Sequence, residues 1–298
     1  MMPNNYFIKL VSIILISLSV NGFGQFKNLV CLEYWTPQQI QFQKDNNLDN
    51  QIIVYEDYFV DNNTKFNPEK LKKFINKIIP KKNQTGYAIL DWEGTSVVKL
   101  MGEIKVSDKE YDRIIDEYIK AIDYAKKMRP KMKWGYFGIN LSFYPKVYKK
   151  NYLQSLKMNR LYKKLDFLAP CLYVTDIIKN NKKEALDFLY TNLKNTVDIN
   201  TGNLEILPFV WHRIHNARED NVLMSNEDFT WYITTLKKFS YKSKKISGVF
   251  WWNAESYLSQ NPKKTKEIEK EFFLQKNNEK YQYQVLKKYY SILNKNFN

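Results

Sequence analysis

Short apolar runs alternate with amphipathic stretches along most of this chain. Runs of about four to eight apolar or β-branched residues are typical of buried strands, whereas apolar residues spaced three and four apart indicate helices. The runs predict strands over Asn28–Glu33, Ile52–Tyr58, Tyr87–Glu93, Lys133–Ile139, Phe167–Val174, Leu204–Trp211 and Ser247–Trp252. The amphipathic stretches predict helices over Pro68–Ile79, Asp108–Arg129, Asn151–Lys164, Lys182–Asn195 and Asn226–Phe239.

Strand followed by helix, repeated along the chain, predicts parallel strands joined by right-handed crossovers. Seven strands in a chain of 298 residues fit a closed barrel better than an open sheet. We therefore predict an α/β fold, namely a distorted (β/α) TIM-type barrel of seven parallel strands over residues 25–262. Residues 263–298 are rich in Lys, Glu and Tyr and predict a C-terminal helical extension with a polar tail.

Residues 1–24 have the pattern of a secretory signal peptide. Lys9 precedes an apolar run, Leu10–Val20, and glycines follow at positions 22 and 24. A run of about eleven residues is too short to span a bilayer. We predict cleavage before Gln25 and a mature protein that is secreted or periplasmic, with no integral membrane segment.

The two cysteines, Cys31 and Cys171, each lie in an apolar, strand-like run. This placement favours two buried thiols over a structural disulfide. A lipid-modified Cys31 would need a small residue before it, and Val30 stands there.

The formal net charge of +16 raises the question of a polyanionic partner. The lysines are spread over helices and loops, and the sequence lacks the basic-aromatic motifs of nucleic-acid modules. We therefore predict no nucleic-acid partner. The charge is either a solvated lysine-rich surface or a feature that favours an acidic polysaccharide over a neutral one.

Asp91-Trp92-Glu93 ends the third predicted strand and carries the most informative chemistry of the chain. Positions i and i+2 of a strand share a face, so both carboxyl groups point to one side and Trp92 points to the other. Repulsion between the two acids and loss of water raise the pKa of at least one of the two carboxyl groups. A carboxyl group with a raised pKa can be a general acid near neutral pH. The alternative is a surface turn in which both acids are solvated.

Aromatic residues end several other predicted strands. In barrels of parallel strands the functional groups cluster at the strand ends, and aromatic rings stack on the faces of sugars. Tyr173, Trp211 and Trp252 are therefore candidates for sugar contact. Because 16% of the chain is aromatic, a place in the core is the alternative for each of these rings. Trp251 and Trp252 point to opposite faces of their strand.

The sequence predicts no metal and no cofactor. His212 and His215 are three apart, point to opposite faces of a strand and have no third ligand nearby in sequence. The sequence also lacks phosphate-binding loops, Rossmann glycine patterns and nucleophile-elbow serines. One acid pair among aromatic residues points instead to a carbohydrate site.

The region from Tyr87 to Trp252, which contains the acid pair and the aromatic candidates, resembles the hyaluronidase family of glycoside hydrolases. The resemblance lies in five blocks that follow the order of the family, namely Ala88–Glu93, Arg129–Pro130 with Lys133–Gly138, Phe167–Val174, Ile206–Val210 and Gly248–Trp252. It implies a divergent, bacterial member of the family, and the family's distorted barrel of seven strands agrees with the strand count above.

The resemblance also implies a role for each site residue. Glu93 would protonate the leaving glycosidic oxygen and then activate water. Asp91 would orient the acetamido group of the substrate, whose carbonyl oxygen attacks the anomeric carbon, so that configuration is retained. Tyr173 would hydrogen-bond this acetamido group, Trp252 would line its pocket, and Tyr144 lies near the place of a further family tyrosine.

The sequence departs from the family at Phe209, where the family has a tyrosine, and at Cys171, where it has a serine. We predict a retaining endo-glycosidase whose partner is a hyaluronan-like polysaccharide containing N-acetylated amino sugars. The alternatives are a non-catalytic glycan-binding barrel and a glycosidase for chitin-like, peptidoglycan or capsular polymers.

Overall fold

The computed structural model describes residues 26–33, 36–49, 51–62, 64–139, 148–175, 180–215, 221–260, 266–275 and 277–297. The predicted signal peptide and its cleavage site lie outside these residues. Within them, the chain is a mixed α/β fold with parallel strands.

Short strands alternate with helices along the chain. The strands are β1 (Lys27–Leu32), β2 (Ile52–Tyr55), β3 (Val60–Asp61), β4 (Lys65–Phe66), β5 (Gly86–Asp91), β6 (Met132–Tyr136), β7 (Phe167–Leu168), β8 (Glu205–Ile206), β9 (Phe209–Trp211) and β10 (Gly248–Asn253). The helices are α1 (Pro37–Asp45), α2 (Pro68–Ile78), α3 (Thr95–Leu100), α4 (Asp108–Met128), α5 (Tyr148–Lys157), α6 (Asn159–Tyr162), α7 (Lys182–Ile199), α8 (Asn226–Lys238), α9 (Glu255–Gln260), α10 (Lys266–Phe273) and α11 (Asn278–Phe297). A 3₁₀ helix, Glu56–Tyr58, follows β2.

Parallel pairing dominates the sheets. Strand β1 pairs with β10 and β10 with β9, β2 pairs with β5 and β5 with β6, and β7 pairs with β8. Strands β3 and β4 form an antiparallel hairpin. Backbone hydrogen bonds also link neighbouring sheets, from Gln51 to Val30 (2.9 Å), from Gly138 to Ala169 (3.0 Å) and from Ser247 to Ile206 (2.8 Å). Paired parallel strands end at the same edge of their sheet, where functional groups of this fold class gather.

Two prolines explain why two predicted strands are shorter than expected. Pro170 and Pro208 carry no amide N–H, so regular ladder pairing stops before each of them. The predicted strand Phe167–Val174 is regular only in β7, and the predicted strand Leu204–Trp211 is divided into β8 and β9.

All the predicted helices occur in the structure, with shifted ends. The third is divided at Met158 into α5 and α6, and the fourth continues past Asn195 to Ile199. The sequence pattern missed α1, a short and mostly polar helix that Thr36 caps by accepting a hydrogen bond from the amide of Gln39. Among the helices described, none is both long enough and apolar enough to cross a bilayer.

Aromatic rings pack together on one side of the strands, in what we call the inner cluster. The ring of Phe250 lies 5.3 Å from that of Phe167 and 5.0 Å from that of Phe209, and all three side chains are buried. Ile89 belongs to this inner cluster, whereas its neighbour Leu90 packs with the outer core under the helices. The alternation along β5 therefore separates two layers of core.

A buried ion-pair network attaches the C-terminal helices to the end of β9. The guanidinium of Arg213 donates to both oxygens of Glu255 at 2.7 and 2.6 Å. It also donates to both oxygens of Glu271 at 2.9 and 2.7 Å, and the Tyr281 hydroxyl donates to Glu271 at 2.6 Å. Arg213 and Glu255 are fully buried, so the charge of Glu255 is compensated by Arg213, and the charge of Arg213 by Glu255 and Glu271.

His212 is a neutral member of this network. The indole N–H of Trp251 donates to Nδ1 of His212 at 3.1 Å, so the proton of the imidazole is on Nε2. Nε2 then donates to Glu255 at 2.9 Å. Burial lowers the pKa of His212 against the opposing influence of Glu255, which is consistent with the neutral form.

We expect Glu255→Gln to lower the free energy of unfolding at pH 7 by about 3–5 kcal/mol, because it removes half of the compensation of the buried Arg213. Burial raises the pKa of the Glu255 carboxyl, but the charge and hydrogen bonds of Arg213 lower it by more, so the net shift is downward from 4.5. This stabilisation is therefore present above about pH 4.5 and is lost as the pH falls further. Urea unfolding at pH 7 and pH 3 measures the difference.

The matched control for this prediction is Glu227→Gln, which changes an exposed acid in the first turn of α8. It is expected to stay within about 0.5 kcal/mol of wild type. Equal stabilities of Glu255→Gln and wild type at pH 7 would contradict the role of the network.

Candidate active site

One cavity of about 400 Å³ lies where several parallel strands end. Its lining includes five of the residues that the sequence predicts for the site, namely Asp91, Glu93, Tyr173, Trp211 and Trp252. The sixth, Tyr144, lies outside the described residues.

The two acids enter the cavity because Trp92 between them is anchored elsewhere. Trp92 is buried and its ring stacks on that of Tyr118 at 4.3 Å, while the Tyr118 hydroxyl donates to the Trp92 carbonyl at 3.0 Å. Asp91 is the last residue of β5, and both Asp91 and Glu93 line the cavity. Both acids therefore face one side, as the alternation predicts, although Glu93 lies beyond the end of the strand.

The pKa values of both carboxyl groups are raised. Burial is the main cause for Asp91, and the nearby charges of Glu93, Glu33 and Glu56 add to it. For Glu93, the surrounding walls desolvate the carboxyl and Glu56 adds repulsion, even though part of the side chain remains exposed. Two interacting carboxyl groups of this kind titrate as a pair that holds a proton at higher pH than free acids do. The site can therefore supply a general acid.

Glu56 is held close to this pair by a glycine. The amide of Gly94 donates to the Glu56 carboxylate at 2.8 Å. A Cβ atom at position 94 would lie 2.9 Å from the same carboxylate, so a larger residue there would displace it. Gly94 directly follows Glu93, which explains how Glu56 comes to lie beside the acids.

An aromatic wall faces the acids. The rings of Tyr173 and Trp252 are stacked at 5.5 Å with 17° between their planes, and Trp211 lies 4.7 Å from Trp252. Trp251, the neighbour of Trp252, packs instead against Tyr290 of α11, which confirms the predicted opposite faces. Burial raises the pKa of Tyr173 well above its usual range, so its hydroxyl stays protonated. Such a wall can stack on the apolar faces of a sugar.

Two buried polar atoms of the cavity lining have no hydrogen-bond partner among the described residues. They are the acceptor Oδ1 of Asp91 and the donor Nε1 of Trp211. An unsatisfied buried polar group costs about 1–3 kcal/mol, so native structures contain few of them. A ligand that offers an N–H to Asp91 and an acceptor to Trp211 would satisfy both.

The sequence pattern missed Glu33 and Tyr55. The Tyr55 hydroxyl donates to Glu33, and the Trp252 indole N–H donates to the same oxygen at 2.7 Å. Tyr55 also lines the cavity. The signal was available for Glu33, which ends the first predicted strand. Tyr55 lies inside the second predicted strand, Ile52–Tyr58, and ends only the shorter strand β2 of the structure.

The remaining lining residues include His215, whose ring lies 5.9 Å from that of Tyr173. His212, in contrast, is buried in the network with Arg213, so the two histidines do point in different directions. Among the residues that the structure describes, no three His, Cys, Asp or Glu side chains are grouped as metal ligands.

Comparisons with known proteins show similarity in structure rather than in sequence. No protein-family model matches the chain, and no curated protein matches it. Among solved structures it is similar to bee venom hyaluronidase in complex with a hyaluronic acid tetramer, with 14% identity and a TM-score of 0.58, over 83% of this chain and 95% of the other. A monoclinic crystal structure of bee venom hyaluronidase gives 14% identity and a TM-score of 0.59, over 88% and 99%. At this identity the similarity shows the fold.

We expect the Cys171 thiol to be unreactive in the folded protein, although it lines the cavity. Burial raises its pKa to about 12, so at pH 8 almost no thiolate is present to attack a disulfide reagent. Titration of a Cys31→Ser variant with an aromatic disulfide reagent measures this. Slow reaction in buffer and fast reaction in guanidinium are expected, and fast reaction in buffer would contradict the assigned environment.

We expect the carboxyl resonance of Asp91 to titrate above 3.8, its ordinary pKa. Carboxyl ¹³C NMR over pH 2–9 measures it, with Asp91→Asn to assign the signal. Glu110 is an internal reference, because hydrogen bonds from Arg113 and Lys99 lower its pKa to about 2. A midpoint for Asp91 at or below its ordinary value would contradict the burial of the pair.

Proposed function

We propose that this protein is a retaining endo-glycosidase that hydrolyses a polysaccharide containing N-acetylated amino sugars. The observation that carries the proposal is the carboxyl pair, Asp91 and Glu93, in a cavity walled by aromatic rings. The unpartnered Oδ1 of Asp91 adds a place for a substrate N–H. A hyaluronan-like polymer is the proposed substrate, since one structural neighbour is a hyaluronidase bound to a hyaluronic acid tetramer.

Glu93 is the proposed general acid and base. Its raised pKa keeps the carboxyl protonated at a pH where a free acid is ionised, so it can protonate the leaving glycosidic oxygen. After the leaving group departs, the same group is a carboxylate and can take a proton from the attacking water. Its partial exposure at the cavity is compatible with the entry of this water.

Asp91 is the proposed partner of the acetamido group. Its buried Oδ1 accepts the amide N–H, which turns the acetamido carbonyl oxygen toward the anomeric carbon. Attack by this oxygen and then by water inverts the carbon twice, so configuration is retained without an enzyme nucleophile. Tyr173, a protonated donor, holds the same group, and Trp252 packs against it.

We also propose that the parallel strands form a distorted seven-strand TIM-type barrel over residues 25–262. The hydrogen bonds that link β1 to β2, the end of β6 to the end of β7, and β8 to the start of β10 support this arrangement. Residues 263–298 are proposed as a helical extension that is held to the barrel, since Arg213 binds Glu271 in α10. Residues 1–24 are proposed as a signal peptide that directs the protein to the periplasm or the exterior.

A non-catalytic glycan-binding barrel is the second candidate function. The cavity is lined by Phe209 and Cys171, where the resembled family has a tyrosine and a serine. Loss of two hydroxyl groups removes polar contacts with a substrate while leaving the aromatic wall. The same substitutions also favour testing chitin-like, peptidoglycan and capsular polymers beside hyaluronan.

We expect Glu93→Gln to lower kcat by about 10²–10⁴-fold, because the amide cannot donate the proton that the leaving group needs. The measurement is the release of new reducing ends from hyaluronan, chondroitin, chitin oligomers, peptidoglycan and capsular material. The exposed Glu103→Gln is the matched control and is expected to retain wild-type rates.

Cleavage by Glu93→Gln at the wild-type rate would contradict the role of Glu93. Salt-dependent binding of hyaluronan by wild type, with no new reducing ends from any polymer, would instead support the glycan-binding alternative.

A further inference from the structure

Glu33 is a further carboxylate beside the candidate active site, in addition to Asp91, Glu93 and Glu56. It follows β1, and its amide donates to the carbonyl of Asn253 at 3.2 Å, which extends the pairing of β1 with β10. One carboxylate oxygen accepts hydrogen bonds from the Trp252 indole at 2.7 Å and from the Tyr55 hydroxyl. Both donors line the cavity.

We propose that Glu33 is a positioning residue for the reaction, which fixes the orientation of Trp252 in the aromatic wall and adds negative charge beside Asp91. This inference rests on the proposed glycosidase function and adds a residue to it.

The orientation of Trp252 depends on a single donor. An indole has one N–H, and here it points to Glu33. The ring also contacts two neighbours, Tyr173, stacked at 5.5 Å, and Trp211 at 4.7 Å. Rotation of the indole would break the bond to Glu33 and both ring contacts together, so Glu33 determines which face of Trp252 a sugar meets.

The charge of Glu33 acts on Asp91. Titratable groups from several elements interact electrostatically with Asp91. They are Glu93 beyond β5, Glu33 beyond β1, Tyr55 in β2, Glu56 in the 3₁₀ helix, Tyr118 in α4, and Cys171 and Tyr173 beyond β7. Burial raises the pKa values of the tyrosines and of the thiol, so these groups are neutral and the carboxylates dominate. The two hydrogen bonds that Glu33 accepts here come from neutral donors, the Tyr55 hydroxyl and the Trp252 indole.

Removal of the Glu33 charge is expected to lower the pKa of Asp91. Glu33 helps to raise the pKa of Asp91, after burial and Glu93. Without it, Asp91 ionises at lower pH, and the coupled Asp91–Glu93 pair gives up its proton at lower pH. The reaction needs one proton on the pair, so the fall in activity with rising pH then begins at a lower pH. The alkaline limb of the pH–activity profile therefore shifts to lower pH.

Two substitutions separate the two roles. Glu33→Gln keeps an acceptor for Trp252 and Tyr55 but removes the charge, so it is expected to shift the alkaline limb of kcat/KM to lower pH while KM stays close to wild type. Glu33→Leu removes the acceptor as well and is expected to raise KM by about tenfold, since the indole N–H loses its partner. The profiles are measured on the polymer that wild type cleaves.

Two further variants are the controls. Tyr55→Phe removes one donor but keeps the charge of Glu33, so it is expected to leave the alkaline limb in place. Glu103→Gln makes the same change in net charge at an exposed position and is expected to leave the whole profile unchanged.

An alkaline limb that is identical in Glu33→Gln and wild type would overturn the electrostatic role. A wild-type KM in a folded Glu33→Leu would overturn the positioning of Trp252. If Glu33→Leu does not fold, Glu33→Gln still decides the first role, and the ¹³C titration of Asp91 in Glu33→Gln decides it without substrate. Loss of the proposed function would appear separately, as a wild type that cleaves no polymer while this titration still responds to Glu33.

Discussion

Burial of Trp92 under helix α4 is the contact on which the candidate active site depends. Side chains alternate along an extended chain, so anchoring the ring of Trp92 on Tyr118 turns the residues before and after it toward the cavity. The anchor is itself held, because the Tyr136 hydroxyl donates to the carbonyl of Tyr118 at 2.9 Å. The acid pair is therefore positioned by the outer core of the protein. A change far from the cavity, in the packing of α4, would move the carboxyl groups.

The site concentrates negative charge in a chain whose net charge is +16. Beyond the effect of burial, the pKa of Asp91 is raised by the nearby charges of Glu93, Glu33 and Glu56. The pKa of Glu93 is raised by burial and by Glu56. This repulsion destabilises the folded state, as is common where a site is arranged for chemistry. The network of Arg213 lies next to the site. It fixes Glu255 at the start of α9, the helix that contributes Tyr257 and Leu258 to the cavity wall.

The periodicity of the sequence predicted that Asp91 and Glu93 share a face, and the positions of Tyr173, Trp211 and Trp252 at predicted strand ends indicated the aromatic residues that line the same cavity. It did not predict neighbours from distant strands. Glu33 meets Trp252 across 219 positions of sequence, and Arg213 meets Glu271 across 58, so no local pattern reports either contact. The early end of the strand before Pro170 could, in contrast, have been predicted from the sequence, because a residue without an N–H cannot continue the hydrogen bonding between strands. The predicted strand nevertheless ran past this proline, and the sequence pattern did not show which distant strands pair.

The pairing of β1 with β10 also has a consequence for how the molecule is made. Strand β1 is synthesised long before β10, so the pairing of Lys27 with Gly248 can form only after most of the chain has been made. Contacts between such distant segments form late and slowly. An unfinished chain can already hold Asp91 beside Glu93, yet it lacks Trp252 and the partner that orients it. Completion of the aromatic wall is thus tied to synthesis of β10, and a chain that ends before Gly248 would keep the acids, Tyr173 and Trp211 but lack Trp252.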